Sequence, residues 1–249
     1  MDIEDVVDAA ADAAAKGSPM GQPHFIPAER TPVTIEQMRD ALGNAWRAQF
    51  GEEPNDRALI VLVAHWSLET GSGASMWCFN VGNIKGRPNG SDGHSWTFFR
   101  CNEIINGNVQ WFDPPHPQTC FRAYESLDEG VADYLALVHR RFFKSWPAVV
   151  NGDPAAYARA LKAQHYYTAN EAAYTRTLVN LFNQYIERFS GYDLSSRANV
   201  ADALTKLGYV ATDYLAAVRS FQRDHELVDD GKVGPLTRSA IIAALQGMA

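Results

Sequence analysis

The chain has 249 residues, of which 46% are hydrophobic and 11% aromatic, and its formal net charge is −7. This length and composition predict a globular protein with one large domain, or one medium domain and a small module. The acidic balance and the lack of a basic block exclude nucleic acid as an expected partner. No apolar run reaches the roughly 18 residues of a membrane-spanning helix, so we expect no membrane insertion.

The N-terminal segment lacks the pattern of an export signal. Residues 1–5 include acidic residues and no long apolar core follows them, so we expect no classical signal peptide. A helix is predicted over residues 1–17. Residues 18–33 contain four prolines and are predicted to be extended, so residues 1–33 form a lead-in to the main domain.

Cysteine and histidine usage indicates neither a disulfide framework nor a metal site. The three cysteines, Cys78, Cys101 and Cys120, are too few for a framework. Cys101 and Cys120 are the two that could pair in an oxidising compartment. The seven histidines show no metal-ligand spacing, so we predict no metal and no cofactor.

Two helices are predicted before the first glycine-rich loop. The first covers residues 34–50, where Thr34 and Gln37 match a capping box. The second covers residues 55–71, and its residues 58–64 are all apolar, which is typical of a buried helix. A buried strand is the alternative, because several of these residues are β-branched. The length of the segment and a plausible N-cap at Asn55 or Asp56 favour a helix.

Glu69 falls in the last turn of the second predicted helix, which Gly71 and Gly73 terminate. Low polarity and the negative end of the helix dipole both disfavour a carboxylate, so both should raise its pKa. A carboxyl group that stays protonated near neutral pH is suited to general acid catalysis. The alternative is a glutamate that is simply solvated at a helix end.

A small β lobe is predicted next. Residues 96–105 and 108–112 have strand character, and Asn106-Gly107 between them is typical of a type I′ hairpin turn. Residues 119–124 are a candidate third strand. Strand alternation places Glu103 on the same face as apolar neighbours, so it is either an inward-facing acid or an edge-strand residue that reaches solvent.

The remaining chain is predicted to be helical. Helices are expected over residues 126–143, 154–163, 171–189, 199–208, 214–225 and 236–246, with a break at 146–153. A linker at 190–196 would separate a main domain, 34–189, from a module, 197–249. The fold class is therefore mainly α (α+β), with a β-hairpin lobe and a C-terminal three-helix module.

Four short motifs follow one another along the main domain. They are ETGSG at residues 69–73, NVGNIKG at 80–86, FRAYES at 121–126 and YYT at 166–168. Their order resembles the bacterial glucosaminidase family of autolysins, flagellum-associated hydrolases and phage lysins, which cut peptidoglycan. The tail, with DGKVGP at 230–235, resembles a peptidoglycan-binding domain of the three-helix type.

The resemblance implies a lysozyme-like catalytic domain and assigns roles to particular residues. Glu69 matches the catalytic acid of the family, and Glu103 matches its second acid, with Asp113 and Glu125 as fallbacks. Tyr166 matches the tyrosine that lines the sugar cleft. The other candidate substrate-binding residues are Tyr167, Asn83, Lys85, Tyr124 and Trp96. For three of them an alternative is open: Asn83 as a turn residue, Lys85 as a residue that holds the glycine-rich loop, and Trp96 as a core residue.

The implied reaction is cleavage of the β-1,4 bond between GlcNAc and MurNAc by an endo-β-N-acetylglucosaminidase. Inverting, retaining and substrate-assisted mechanisms all remain open. The alternatives are a muramidase, a lytic transglycosylase or a non-catalytic wall-binding structural protein. We expect a monomer that acts on glycan strands in the periplasm or cell wall. A holin, an injection machine or a secretion system would release it, which makes a phage or secretion apparatus a candidate further partner.

Overall fold

The computed structural model describes residues 22–105, 108–210 and 212–248. The helix predicted over residues 1–17 and the turn residues Asn106 and Gly107 lie outside this part. In the ranges that are described, no helix has the length and apolar character needed to cross a bilayer.

The predicted mainly α class is confirmed. The helices are α1 Ile35–Phe50, α2 Asp56–Thr70, α3 Leu127–Arg141, α4 Trp146–Val150, α5 Pro154–Ala163, α6 Glu171–Phe189, α7 Arg197–Lys206, α8 Tyr214–Asp224 and α9 Pro235–Gln246. The strands are β1 Trp96–Phe98, β2 Cys101–Ile105, β3 Asn108–Phe112 and β4 Cys120–Arg122. They form two antiparallel pairs, β1 with β4 and β2 with β3.

The N-terminal caps of α1 and α2 agree with the sequence. The Thr34 hydroxyl accepts from the Gln37 N–H at 3.1 Å, and the Gln37 side chain accepts from the Thr34 N–H at 2.8 Å. Asn55 accepts from the Ala58 N–H at 2.7 Å. Residues 58–64 are all buried, so the helical prediction for this segment is confirmed over the strand alternative.

Two local predictions are wrong. The strand predicted over 96–105 is interrupted at Phe99 and Arg100, and its two parts pair in different sheets. The interruption occurs where the Phe99 ring stacks on Phe121, with centroids 4.1 Å apart. The predicted break at 146–153 contains the short helix α4, because Pro147 lies in its first turn, where its missing N–H costs nothing.

The contacts divide the chain into two compact units. The first comprises residues 22–54 and 69–141 of the described part. In it α1 packs on α3, and residues 22–31, here called the strap, run along the β lobe. The strap donates from Ile26 N–H to the Trp96 carbonyl at 2.9 Å, and its Glu29 carbonyl accepts from the Cys78 N–H at 2.9 Å. The lead-in over residues 1–33 stays a prediction.

The second unit comprises residues 55–68 and 142–248. Most of α2 is buried here. The Ser67 hydroxyl lies 2.9 Å from that of Tyr185 on α6, and His65 Nδ1 lies 3.0 Å from the hydroxyl of Tyr157 on α5. Helix α9 packs against α6. The last helix of the C-terminal module therefore packs on the last helix of the predicted main domain.

A buried glutamine organises the C-terminal module. Gln222 is 1% exposed. Its Oε1 accepts from the Gly231 N–H at 2.9 Å, and its Nε2 donates to the Lys232 carbonyl at 3.0 Å and to the Thr237 hydroxyl at 3.2 Å. This side chain thus links α8 to the DGKVGP loop and to the start of α9. The boundaries 34–189, 190–196 and 197–249 remain our proposal for the domains.

Candidate active site

Glu69 lies in the last turn of α2, and its backbone is fixed by a side chain from a later loop. The Nδ2 of Asn83 donates to the Glu69 carbonyl at 2.6 Å. Beyond Thr70 the chain turns sharply, with positive φ at Gly71, Ser72 and Gly73. The carboxyl side chain of Glu69 is half-buried, so it combines a fixed backbone with access to a ligand.

Asn83 itself has a φ of 48°, a left-handed conformation that asparagine tolerates better than most residues. Its Nδ2 thus donates to a carbonyl in the last turn of α2, where carbonyl groups have no partner within the helix itself. Asn83 was predicted to bind substrate. The structure instead shows it contacting the backbone of Glu69.

The NVGNIKG loop is organised by Asn80, which is 1% exposed. Its Nδ2 donates to the carbonyls of Ile84 and Arg122, each at 2.9 Å, and its Oδ1 accepts from the Ile84 N–H at 2.7 Å. Both the NH₂ group and the oxygen of the side-chain amide therefore bind partners within the protein, and Asn80 is a structural residue.

Asn80→Ala is expected to lower the free energy of unfolding by about 1–3 kcal/mol, because buried carbonyls and an N–H would lose their partner. Chemical denaturation measures this loss. The matched control is Asn102→Ala, which removes the same amide from an exposed strand position and should change stability by less than about 0.5 kcal/mol. Equal losses in the two variants would contradict the structural role of Asn80.

Lys85, two residues after Asn83, contacts Glu103. Its Nζ donates to Glu103 Oε1 at 2.8 Å and to the Gln118 carbonyl at 2.6 Å. The two side chains of the ion pair are 42% and 39% exposed. Glu103 pairs with Gln110 across the hairpin. It is thus an acid on a partly open face, intermediate between the two predicted alternatives.

A partly buried charge network includes two residues of the FRAYES motif. Arg122 Nη1 donates to both oxygens of Asp133 on α3, at 2.8 and 3.0 Å, and its Nε donates to Asp92 at 3.2 Å. The hydroxyl of Tyr124 also donates to Asp133. Burial lowers the pKa of Arg122, but the charge and hydrogen bond of Asp133 together with the charges of Tyr124 and Asp92 outweigh it, so the net shift is upward.

Tyr124 was predicted to bind substrate, but it lies in the interior of the lobe. The residue is 7% exposed, and burial followed by the charge of Asp133 raises the pKa of its hydroxyl well above the usual value. Little of its ring surface is left for a sugar. Tyr124 and Arg122 together connect β4 to α3.

The tryptophans of the lobe differ in their surroundings. Trp96 is half-buried, and the strap residue Phe25 packs on it with ring centroids 6.5 Å apart. Trp111 is 52% exposed, and the strand register places it on the hairpin face opposite Glu103. The Arg100 guanidinium lies 4.5 Å from the centre of its ring. Trp96 stays a predicted sugar contact.

Tyr166 and Tyr167 belong to the second unit. Tyr167 stacks on Tyr174, with centroids 3.7 Å apart and planes 8° apart, and its hydroxyl donates to the Ala158 carbonyl at 3.1 Å. The Tyr166 ring packs 5.0 Å from that of His65. Both tyrosines are partly exposed, and their role in substrate binding remains a prediction.

The fallback acids and the cysteines have other contacts. Asp113 pairs with Arg100 at 2.9 Å and Glu125 with His24 at 3.3 Å, both in exposed ion pairs. All three cysteines are free thiols. Burial, with a smaller effect from Asp92, raises the pKa of the Cys120 thiol.

Comparison with known families decides the classification. A family model described as mannosyl-glycoprotein endo-beta-N-acetylglucosaminidase matches residues 52–187, more than half of the chain. The chain belongs to the glucosaminidase family. A second family model, that of the peptidoglycan binding domain, matches residues 175–241. This glucosaminidase is therefore a glycosidase that carries a peptidoglycan-binding domain, and peptidoglycan is its substrate.

Two solved structures are similar to the glucosaminidase chain. One is a peptidoglycan hydrolase mutant from Sphingomonas sp. A1, with 26% identity, a TM-score of 0.42, and coverage of 60% of this chain and 86% of that chain. The other is a C-terminally truncated glycoside hydrolase domain from Salmonella typhimurium FlgJ, with 21% identity, a TM-score of 0.40, and coverage of 62% and 99%. No curated protein gave a significant match.

Sequence reasoning missed Asp133 and Asp92 of this glucosaminidase. Both carboxylates bind Arg122, and their side chains are 17% and 14% exposed. For Asp133 a signal was present, because it lies on α3 directly before the buried Tyr134 and Leu135. An acid beside core residues needs a cation, and the FRAYES motif supplies one in Arg122.

Proposed function

We propose that the enzyme hydrolyses the β-1,4 bond between GlcNAc and MurNAc, with Glu69 as general acid and Glu103 as the second carboxylate. One observation carries this proposal. The NVGNIKG loop contacts both acids, because Asn83 binds the Glu69 carbonyl and Lys85 binds the Glu103 carboxylate. A single short segment thus connects the two groups that glycoside hydrolysis requires.

The surroundings of the two acids support different roles. Breaking a glycosidic bond requires a proton on the leaving oxygen and compensation of the positive charge that develops on the sugar. Glu103 accepts a hydrogen bond from an ammonium group, which suits a carboxylate that acts as base or charge stabiliser. Glu69 lies in the last turn of a helix whose preceding residues 58–64 are all buried and apolar, and such surroundings suit the proton donor. The 2-acetamido group of GlcNAc could supply the nucleophile in place of water.

The enzyme acts on peptidoglycan outside the cytoplasm, in agreement with its binding domain. We further propose that it acts as a monomer in the periplasm or wall, after release by a holin, an injection machine or a secretion system. Tyr166 is proposed to contact the sugar, on the strength of the family resemblance and its partly exposed ring.

The experiment that tests the proposed reaction is mass spectrometry of muropeptides released from purified peptidoglycan. New reducing GlcNAc ends are expected. Reducing MurNAc ends would instead identify a muramidase, and anhydro-MurNAc ends a lytic transglycosylase. If the folded protein released no fragments, the remaining alternative would be a non-catalytic wall-binding protein.

Glu103→Gln is expected to lower kcat by about 10²-fold, because one acid or base group of this kind is removed. The measurement is the rate of release of reducing GlcNAc ends from soluble glycan fragments. Asp113→Asn is the matched comparison, since it makes the same change at an exposed acid of the same lobe. If Asp113→Asn alone lowered kcat, Asp113 would replace Glu103 in the mechanism.

A further inference from the structure

The ammonium group of Lys85 is used by protein partners. We propose that Lys85 is a positioning residue that fixes the carboxylate of Glu103 for the reaction, and is not a ligand of the substrate. This inference rests on the role of Glu103 proposed above. It changes the assignment of Lys85, which the sequence placed among the substrate-binding residues.

The backbone of Lys85 is attached to strand β4. Lys85 and Phe121 form an isolated antiparallel bridge, and the next residue, Gly86, donates from its N–H to the Cys120 carbonyl at 3.1 Å. A Cβ atom added at Gly86 would lie 2.6 Å from the Phe121 carbonyl carbon. The two backbones therefore approach more closely here than any residue with a side chain allows.

The side chain of Lys85 is fixed as well. Two of its three N–H groups are used, by Gln118 O at 2.6 Å and by Glu103 Oε1 at 2.8 Å. The same Nζ lies 4.1 Å from the centre of the Phe121 ring, a cation–π distance. An ammonium group with these partners has little capacity left for a sugar.

The ring beneath Lys85 belongs to a series of stacked groups, here called the aromatic stack, made of Trp77, Phe99 and Phe121. Phe121 and Phe99 are 4.1 Å apart at 12°, and Phe99 and Trp77 are 5.3 Å apart at 17°. Arg30 of the strap lies 4.9 Å from the centre of the Trp77 ring. The Lys85 ammonium therefore packs on the aromatic stack, which connects the strap to the loop before Glu103.

Glu103 needs such a partner because of its position. It lies on a two-stranded hairpin, its side chain is 39% exposed, and the residue across the hairpin is the neutral Gln110. An unrestrained glutamate of this kind samples many rotamers. Misplacement of a reacting group by about 1 Å can cost about 10²-fold in rate. A fixed ammonium on one carboxylate oxygen reduces this freedom.

The test measures kcat and KM separately on soluble glycan fragments. Lys85→Met is expected to lower kcat by about 10-fold or more with KM nearly unchanged, since a positioning group acts on the reaction step. Lys85→Arg, which keeps the charge and the donors, should restore most of kcat. In the background of Glu103→Gln, Lys85→Met should cause no further loss.

The control variant is Arg100→Met, which removes another exposed cation of the same lobe, paired with Asp113 at 2.9 Å. It should keep wild-type kcat. Because exposed ion pairs contribute little to stability, the Tm of Lys85→Met should stay within about 2 °C of wild type. A loss of kcat at constant Tm therefore reports positioning and not unfolding.

The outcomes separate this inference from the proposed function. If Glu103→Gln has wild-type kcat, the role of Glu103 is wrong and the inference falls with it. If Glu103→Gln is slow but Lys85→Met has wild-type kcat, only the inference is overturned. A rise in KM at unchanged kcat in Lys85→Met would also overturn it, because that is the signature of a substrate ligand.

Discussion

Lysis of purified peptidoglycan is expected to stop when Glu69 is replaced by Gln. The amide has almost the same shape as the carboxyl group but cannot give a proton to the leaving glycosidic oxygen. A general acid of this kind contributes about 10²–10⁴-fold to the rate. The measurement is the fall in turbidity of a peptidoglycan suspension, with muropeptide analysis to detect residual cleavage.

The interpretation requires that the variant stays folded. The contact that fixes the end of α2 involves the backbone carbonyl of Glu69 and the amide of Asn83, so the substitution leaves it in place. Glu52→Gln provides the matched control, because the same chemical change is made at an exposed residue shortly before α2. Wild-type lysis by a folded Glu69→Gln protein would remove Glu69 from the mechanism.

Asp133→Ala is expected to cause the largest loss of stability, about 3–5 kcal/mol. The substitution removes the carboxylate that accepts from both Arg122 and Tyr124. Arg122 would keep only Asp92 as an acidic partner, at 3.2 Å, in surroundings where its side chain is 18% exposed. Losing one partner of a largely buried pair is costly because the other charge is then compensated only in part.

Unfolding in urea, followed by circular dichroism, measures this loss. Asp229→Ala is the control, because Asp229 pairs with Arg223 at 3.4 Å in an ion pair in which both side chains are more than half exposed. That variant should lose less than about 1 kcal/mol. A loss for Asp133→Ala as small as the control would show that the network does not stabilise the lobe.

Helices were predictable from the sequence because their signals are local. The bounds of α5 and α6 agree with the prediction, since Asp153 and Asn170 cap their first turns with side-chain oxygens at 2.9–3.0 Å. Glu69 could likewise be placed at a helix end, because Gly71 follows it and has a φ of 59°. Such features depend on neighbours a few residues apart.

The partners of the polar side chains were not predictable in the same way. Asn83 and Lys85 were candidate substrate-binding residues, with a turn role for Asn83 and a role in holding the glycine-rich loop for Lys85 as the alternatives. Their actual partners, Glu69 and Glu103, are 14 and 18 residues away in sequence, and only the folded lobe brings them together. The interruption of the strand at Phe99 has the same origin, because its ring stacks on residues from two other segments.

The strap and α1 precede residue 52, where the match to the family begins. Arg30 nevertheless contacts Trp77, and Phe50 at the end of α1 packs 4.9 Å from His139 on α3. A chimera that exchanged only the matched span with a relative would separate these partners. We therefore expect an active chimera to need the strap and α1 from the same protein as the matched span, although both lie outside that span.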